Sequence, residues 1–579
     1  MGNSRSTSKI ELTHFRLGQI CIWVTILTTF AINPFSNYDP ISVVKMLPLT
    51  VFAFLSFGLF NSQPQLWKST FAKNKTFTLL LLFFCLTMVI TIFTSGAGIA
   101  QQFWGTFGRN TGFLTYFSLC LVSLAFLCAG NLENVLKIRN AFLITSVPMT
   151  IYGVMQFVGQ DPITWSEQAV FGTLGNINFL SAFFGMSSIA ILSRALELKN
   201  LLSRLSLILL VMIDLYLIVS TGSIQGPLIL IIGLYTLILI LLLMKRVKKL
   251  LIGSYLLSGV IFGGLGLAAI FNKGPLNSLI YQPSIVFRGD YMHAAWEMFK
   301  SHPFTGVGMD SYGDWYREAR GQISTLRTGP DRVSNAAHNV YLDFFSNGGF
   351  VLGTIYILVI LFTFIIAFKA IILCRKVSKV DTLQAGLFST WLAYQIQAAI
   401  SINQIGIAVW GWLLTAGVYS YSRILLDTLT GQEKFQGISP RITNSPTLNK
   451  HRKTPAASLL PAKSLMFMFI FGIFGFLLAV PPLSADAAYR KASSSGSFKE
   501  MKEVLEKTGS TQWHVELVLD YALRSNNQTE VDFISKFLVE KYPRSFFGWQ
   551  IRATFPESRS VALQRLKELD PYNPTISIG

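Results

Sequence analysis

Two side chains with useful chemistry, Arg288 and His338, stand in one long polar stretch, residues 272–339, of a chain otherwise short of charge. An imidazole takes up a proton near neutral pH. A guanidinium stays charged and forks onto anionic oxygens. Beyond Arg288, the residues Tyr291, Ala294, Ala295, Met298 and Phe299 put an apolar stripe on one helical face. That helix is expected to begin around Gly289-Asp290 and to stop at His302-Pro303, with Gly306-Val307-Gly308 a tight turn. His338 lies in a second cluster, Asn335-Ala336-Ala337-His338-Asn339. A third candidate, Arg109, closes the short polar stretch 95–110. Each has a plainer reading: His338 as a histidine at a membrane border, Arg288 as a snorkelling interfacial side chain. His293 and His302 read as structural.

The elements that must position these residues follow from composition. Of 579 residues, 51% are hydrophobic and 13% charged, where a soluble protein carries about 25% charged. The apolar residues run in blocks long enough to cross roughly 30 Å of hydrocarbon as helices. Thirteen blocks are expected: 17–33, 41–60, 77–94, 111–130, 141–158, 174–193, 202–220, 226–244, 250–271, 340–368, 383–402, 405–422 and 464–482. The chain is therefore expected to be an all-α, polytopic transmembrane bundle. It divides into an N-terminus (1–16), nine spans (17–271), a large loop (272–339), three spans (340–422), a linker (423–463), a last span (464–482) and a tail (483–579). The first block lacks a small-residue cleavage site after it, so it reads as a retained span.

Basic residues set the expected orientation. With the N-terminus inside, the inside segments carry twenty-six Lys and Arg, and the short outside loops only Arg109. The C-terminus and the 272–339 loop then lie outside. Most of the formal charge of +19 is topogenic, which removes nucleic acid as a partner. The five cysteines show no metal-ligand spacing and no disulfide framework. Asp214 is the clearest acid within a span, suited to a proton pathway or to pairing with Lys45 or a neighbouring hydroxyl. The linker segment 431–462, rich in Pro, Ser, Thr and Lys, reads as disordered. The tail reads as short amphipathic helices. Its proline turns Tyr542-Pro543-Arg544-Ser545 and Asp570-Pro571-Tyr572-Asn573 give it a tetratricopeptide-like look. Such a tail would serve as a docking surface or as a cap on the large loop.

Several stretches together resemble the O-antigen ligase and polymerase superfamily of bacterial inner-membrane glycan transferases. They are Gly105-Thr106-Phe107-Gly108-Arg109-Asn110-Thr111-Gly112, then Gly172 to Asn178 (GTLGNIN), then Arg288 with Trp296 and the run His302 to Gly308, and finally His338-Asn339 with Leu342 and Gly349. The resemblance implies a GT-C-like bundle in the bacterial inner membrane, its N-terminus cytoplasmic and its C-terminus periplasmic. It also implies metal-independent transfer, without a cofactor, of a glycan from undecaprenyl pyrophosphate to an acceptor hydroxyl. The acceptor would be a glycolipid, a polysaccharide or a protein. On that likeness Arg288 and Arg109 would clamp the pyrophosphate, and His338 would be the base. Gln225, Asn339, Arg327 and Arg332 would be further substrate-binding residues. Gln225 stands where the family often carries an arginine, in Ser220-Thr221-Gly222-Ser223-Ile224-Gln225-Gly226, so Arg327 or Arg332 would supply the missing charge. Asn347 stands where it carries an acid. A ligase is the first expectation, with a polymerase or a protein O-oligosaccharyltransferase as alternatives. A solute transporter is the reading from another class, and a membrane-anchored assembly protein a third.

Overall fold

A computed structural model of the chain describes residues 2–165, 169–436 and 460–576. The regular elements among them are all helical, as backbone that must satisfy its own hydrogen bonds in hydrocarbon requires. Each expected block falls in one long helix: Gly2–Phe30, Ser42–Asn61, Pro64–Thr94, Phe113–Ala129, Leu132–Phe157, Ile177–Ala195, Leu201–Ser220, Gln225–Met244, Lys249–Ile270, Val340–Lys376, Thr382–Ile400, Ile405–Gln436 and Ala462–Ser495. By length and composition, eight of these are able to cross a membrane among the described residues. The expected linker lies mostly outside the described residues, from 437 to 459.

Some helices overrun their blocks for local reasons. Leu132–Phe157 starts early because the Asn131 side chain caps it, accepting from the Asn134 N–H at 2.8 Å. Ala462–Ser495 continues through Pro481 and Pro482, so the last long helix runs unbroken into the tail. There Phe498–Leu505, Gln512–Arg524, Gln528–Lys541, Phe546–Arg552 and Arg559–Leu569 pack each against the next.

The bundle has a dense centre and a bare edge. Ile177–Ala195 has 78% of its apolar window buried, against 6% for Lys249–Ile270. The bare helix leans on Gln225–Met244, where Tyr235 and Tyr255 stack at 4.4 Å and each hydroxyl donates to the other's carbonyl. Two charged groups inside the bundle find partners. Asp214 accepts from the hydroxyls of Ser146 (2.9 Å) and Thr150 (2.5 Å) on the neighbouring helix. Lys45 instead donates to the carbonyls of Thr28, Thr29 and Ala31, at the C-terminal end of the first helix, where a cation suits the exposed carbonyls.

The large loop leaves the bare helix and folds back onto the bundle. Its main helix spans Pro283–Ser301, six residues earlier than the expected start, because Pro283 fits the first helical position. His302 ends it as expected. The run that follows docks on Val340–Lys376, which breaks at Gly349 (φ +71°). Val307 and Gly308 N–H groups donate to the Ser346 and Asn347 carbonyls, and Phe350 N–H donates to the Pro303 carbonyl. The approach is close enough that a Cβ on Gly306 (φ +63°) would lie 2.2 Å from the Asn347 carbonyl carbon. The two glycines let backbone meet backbone, and this contact sets the first turns of Val340–Lys376 against the loop.

Candidate functional site

Three separate stretches of chain converge at this junction. The first is the turn between Trp104 and Phe113, wrapped around one acid. The Asp310 carboxylate accepts from the N–H groups of Thr106 (2.8 Å) and Thr111 (3.1 Å), and the Thr106 hydroxyl donates to the Asp310 carbonyl. Arg109 projects from this turn. Its Nε donates to Asn335 Oδ1 at 2.8 Å, and Nη2 reaches the same oxygen. Burial lowers its pKa, while the nearby Asp310 and Asp343 act to raise it.

The second stretch carries His338. Its φ of +55° is left-handed, a conformation uncommon outside glycine that costs energy and persists only where neighbours hold it. The hold is visible on both sides. Asn339 caps Val340–Lys376 by accepting from the Leu342 N–H at 3.1 Å, and Ala337 N–H donates to Asp343 Oδ1 at 2.7 Å. His338 Nδ1 lies 3.2 Å from the Ala336 carbonyl, so with Nδ1 protonated the lone pair is on Nε2. Burial first, then the charges of Arg109 and Arg288, push the imidazole pKa down to about 4. The ring is neutral at pH 7.

The third stretch is Pro283–Ser301. Tyr291 sets its ring 5.0 Å from the His338 ring. Arg288 lies one turn earlier, half-buried, with its own pKa lowered by burial. Among the described residues no hydrogen bond or ion pair engages it. Beside Arg109 lies a small cleft, lined among others by Asp310, Asn335, Asp343, Asn347 and Asn403. Among the described residues no three His, Cys, Asp or Glu side chains gather as a metal would need.

Arg109, Arg288 and His338 are thus brought together. Arg332 borders them, its guanidinium 4.6 Å over Phe287. Arg327 is paired with Asp290 at 3.0 Å on the loop's exposed side. Gln225 is buried at another turn, its Nε2 3.4 Å from the Ile400 carbonyl. Asn339 acts here through its cap. The residue that sequence reasoning passed over is Asp310. Its only signal was an acid following the glycine turn, and its partners Thr106 and Thr111 are some two hundred positions away.

Residues 205–379 match the family model described as O-Antigen ligase. The match spans Arg288 and His338 and leaves out the Arg109 turn and the tail. The matched segment is under a third of the chain and likens that part of it to the O-antigen ligase superfamily, while eight helices among the described residues are long and apolar enough to cross a membrane. No curated protein matches the chain.

Proposed function

We propose that this protein moves a glycan from undecaprenyl pyrophosphate to an acceptor hydroxyl at the periplasmic face of the bacterial inner membrane, ligase-like in its choice of a glycolipid acceptor. The observation that carries this reading is the meeting of two guanidiniums and one neutral imidazole, delivered by three separate stretches of chain. In the reaction the acceptor oxygen attacks the anomeric carbon, and the bond from that carbon to the pyrophosphate oxygen breaks. The hydroxyl proton passes to His338 Nε2, and undecaprenyl pyrophosphate departs with the bonding pair. Charge grows on the departing diphosphate as the bond breaks. Arg109 and Arg288 meet that charge with fixed positive donors, whose effect is largest where water is excluded.

Electrostatics link binding to base strength. Burial first, and then the two arginines, lower the pKa of His338 in the empty site. A diphosphate between them would offset their charge and lift only that part of the lowering. The base would thus strengthen when donor binds.

The test is transfer by purified protein, given a radiolabelled lipid-pyrophosphate glycan and a panel of lipid, glycan and protein acceptors. Glycolipid labelling that His338→Ala and Arg288→Ala abolish supports the reading. Labelling of another acceptor moves the assignment to polymerase or oligosaccharyltransferase. Transfer indifferent to both substitutions removes the site, and solute uptake into liposomes without transfer replaces the enzyme with a carrier.

A further inference from the structure

The tail touches both arms of the site. Trp513, at the start of Gln512–Arg524, stacks on Phe107 with ring centres 3.8 Å apart and planes 6° from parallel. Phe107 lies two residues before Arg109, in the turn that Asp310 holds from the other side. At the tail's far end Asp570, wholly buried, meets the wholly buried Arg320 at 2.5 Å and Arg317 at 3.1 Å. Those two guanidiniums also donate to the carbonyls of Pro330 and Arg332. The backbone they fix runs directly on to Asn335, the Arg109 partner, and to His338. Between these ends Arg544 lies 3.5 Å over the Trp315 ring and donates to the Asp314 carbonyl.

We propose that Trp513 and Asp570 are positioning residues through which the tail sets the relative placement of Arg109 and His338. A bundle whose tail is not seated then holds an incomplete site. This rests on the transferase reading for its kinetic consequence, though not for its geometry. Each link is short and stiff: a flat ring on a flat ring, and a carboxylate between two guanidiniums. Without Asp570 the buried arginines lose their counter-charge, and with it the anchor that aims them at the Pro330 and Arg332 carbonyls. A shift of about 1 Å in such a site costs up to ~100-fold in rate.

The experiment compares Trp513→Ala, Trp513→Phe, Phe107→Leu and Asp570→Asn with Lys502→Ala, which breaks contacts internal to the tail, with Glu530 and the Phe533 ring. Each is measured on monodisperse full-length protein, by donor kcat and KM and by the titration of His338 in ¹³C-histidine NMR, assigned with His338→Gln. Around that ring stand Arg109, Arg288 and Tyr291, with Asp343 on the preceding Ala337 N–H. Trp513→Ala, Phe107→Leu and Asp570→Asn are expected to lower kcat by about tenfold or more, with a smaller change in KM. They should also raise the His338 midpoint from about 4, because Arg109 has moved away. Trp513→Phe keeps a stacking ring and should keep most of the activity, and Lys502→Ala should match the native protein. If Asp570→Asn fails to fold, the Trp513 and Phe107 variants decide. Unchanged kcat and an unchanged midpoint in them overturn the proposal. If native protein transfers to no acceptor, the transferase reading fails while the titration still decides the tail's role.

Discussion

The two arginines of the site are held in opposite ways. Arg109 sits in a turn fixed by Asp310 within, Asn335 at its guanidinium and the Phe107–Trp513 stack outside. Arg288 lies on a loop helix that follows the barest helix of the bundle, and among the described residues nothing bonds to it. One cation is held by protein partners, and the other has no hydrogen-bond partner among the described residues. In the proposed reaction the fixed donor would set the position of the diphosphate, and the unpaired one would close on its charge. A site with two fixed arginines would hold the product as firmly as the substrate.

Substitutions that separate the two arms test this contrast. The largest effect is expected at Asp310, which serves only the fixed arm. Asp310→Ala strips the acceptor from one buried and one partly buried N–H group, at up to about 1–3 kcal/mol each. Thermal unfolding in detergent should fall accordingly, and transfer should be lost even in the protein that remains folded. Arg288→Lys comes next. It keeps the charge and loses the fork, so kcat/KM for donor should drop roughly 10–100-fold, about 1.4–2.8 kcal/mol, by the difference between forked and point-charge donors. Its unfolding temperature should not move, because no protein partner is lost. An Arg288→Lys protein that unfolds early would mean the second arm is structural too.

A smaller effect lies in pH. Buried and neutral, His338 has a folded pKa of about 4 against 6.5 for the free side chain. Between those values the unfolded chain binds the extra proton, so this residue makes stability fall as pH drops from 6.5 to 4 and adds no slope above that window. His338→Gln should flatten the stability profile over that range, as read by unfolding temperature against pH. The smallest effect belongs to Arg327. Its exposed pair with Asp290 is worth at most about 1 kcal/mol. Arg327→Ala should leave transfer within roughly twofold, since an exposed and compensated charge adds little.

Much of the architecture was legible in the residues because a lipid solvent leaves helix as the simple solution for a long apolar run. The large loop was legible as the polar exception, and with it Arg288 and His338. Less was legible wherever the decisive partner is distant in sequence. Asp310 reads as a solvated loop acid until the Thr106 and Thr111 N–H groups arrive from two hundred positions away. The loop helix was set six residues short because the apolar stripe begins at Tyr291, whereas Pro283 marks the first turn. By sequence Asp570 is the first residue of a proline turn, and Trp513 carries no mark of its own. The rings and guanidiniums they meet lie on other segments, and no local pattern announces them. Lys45 and Asp214, one possible pairing by sequence, each find nearer partners instead.

The central claim is that the arginines bind the departing diphosphate while His338 acts only on the proton. It is tested most directly by measuring lipid-pyrophosphate glycan binding and single-turnover transfer side by side in His338→Ala and in Arg109→Gln/Arg288→Gln. The expected result is a split: His338→Ala binds donor within a few-fold of native but loses transfer by ~100-fold or more, whereas the double arginine variant loses binding itself. Equal loss of binding in both, or full transfer by His338→Ala, would contradict it.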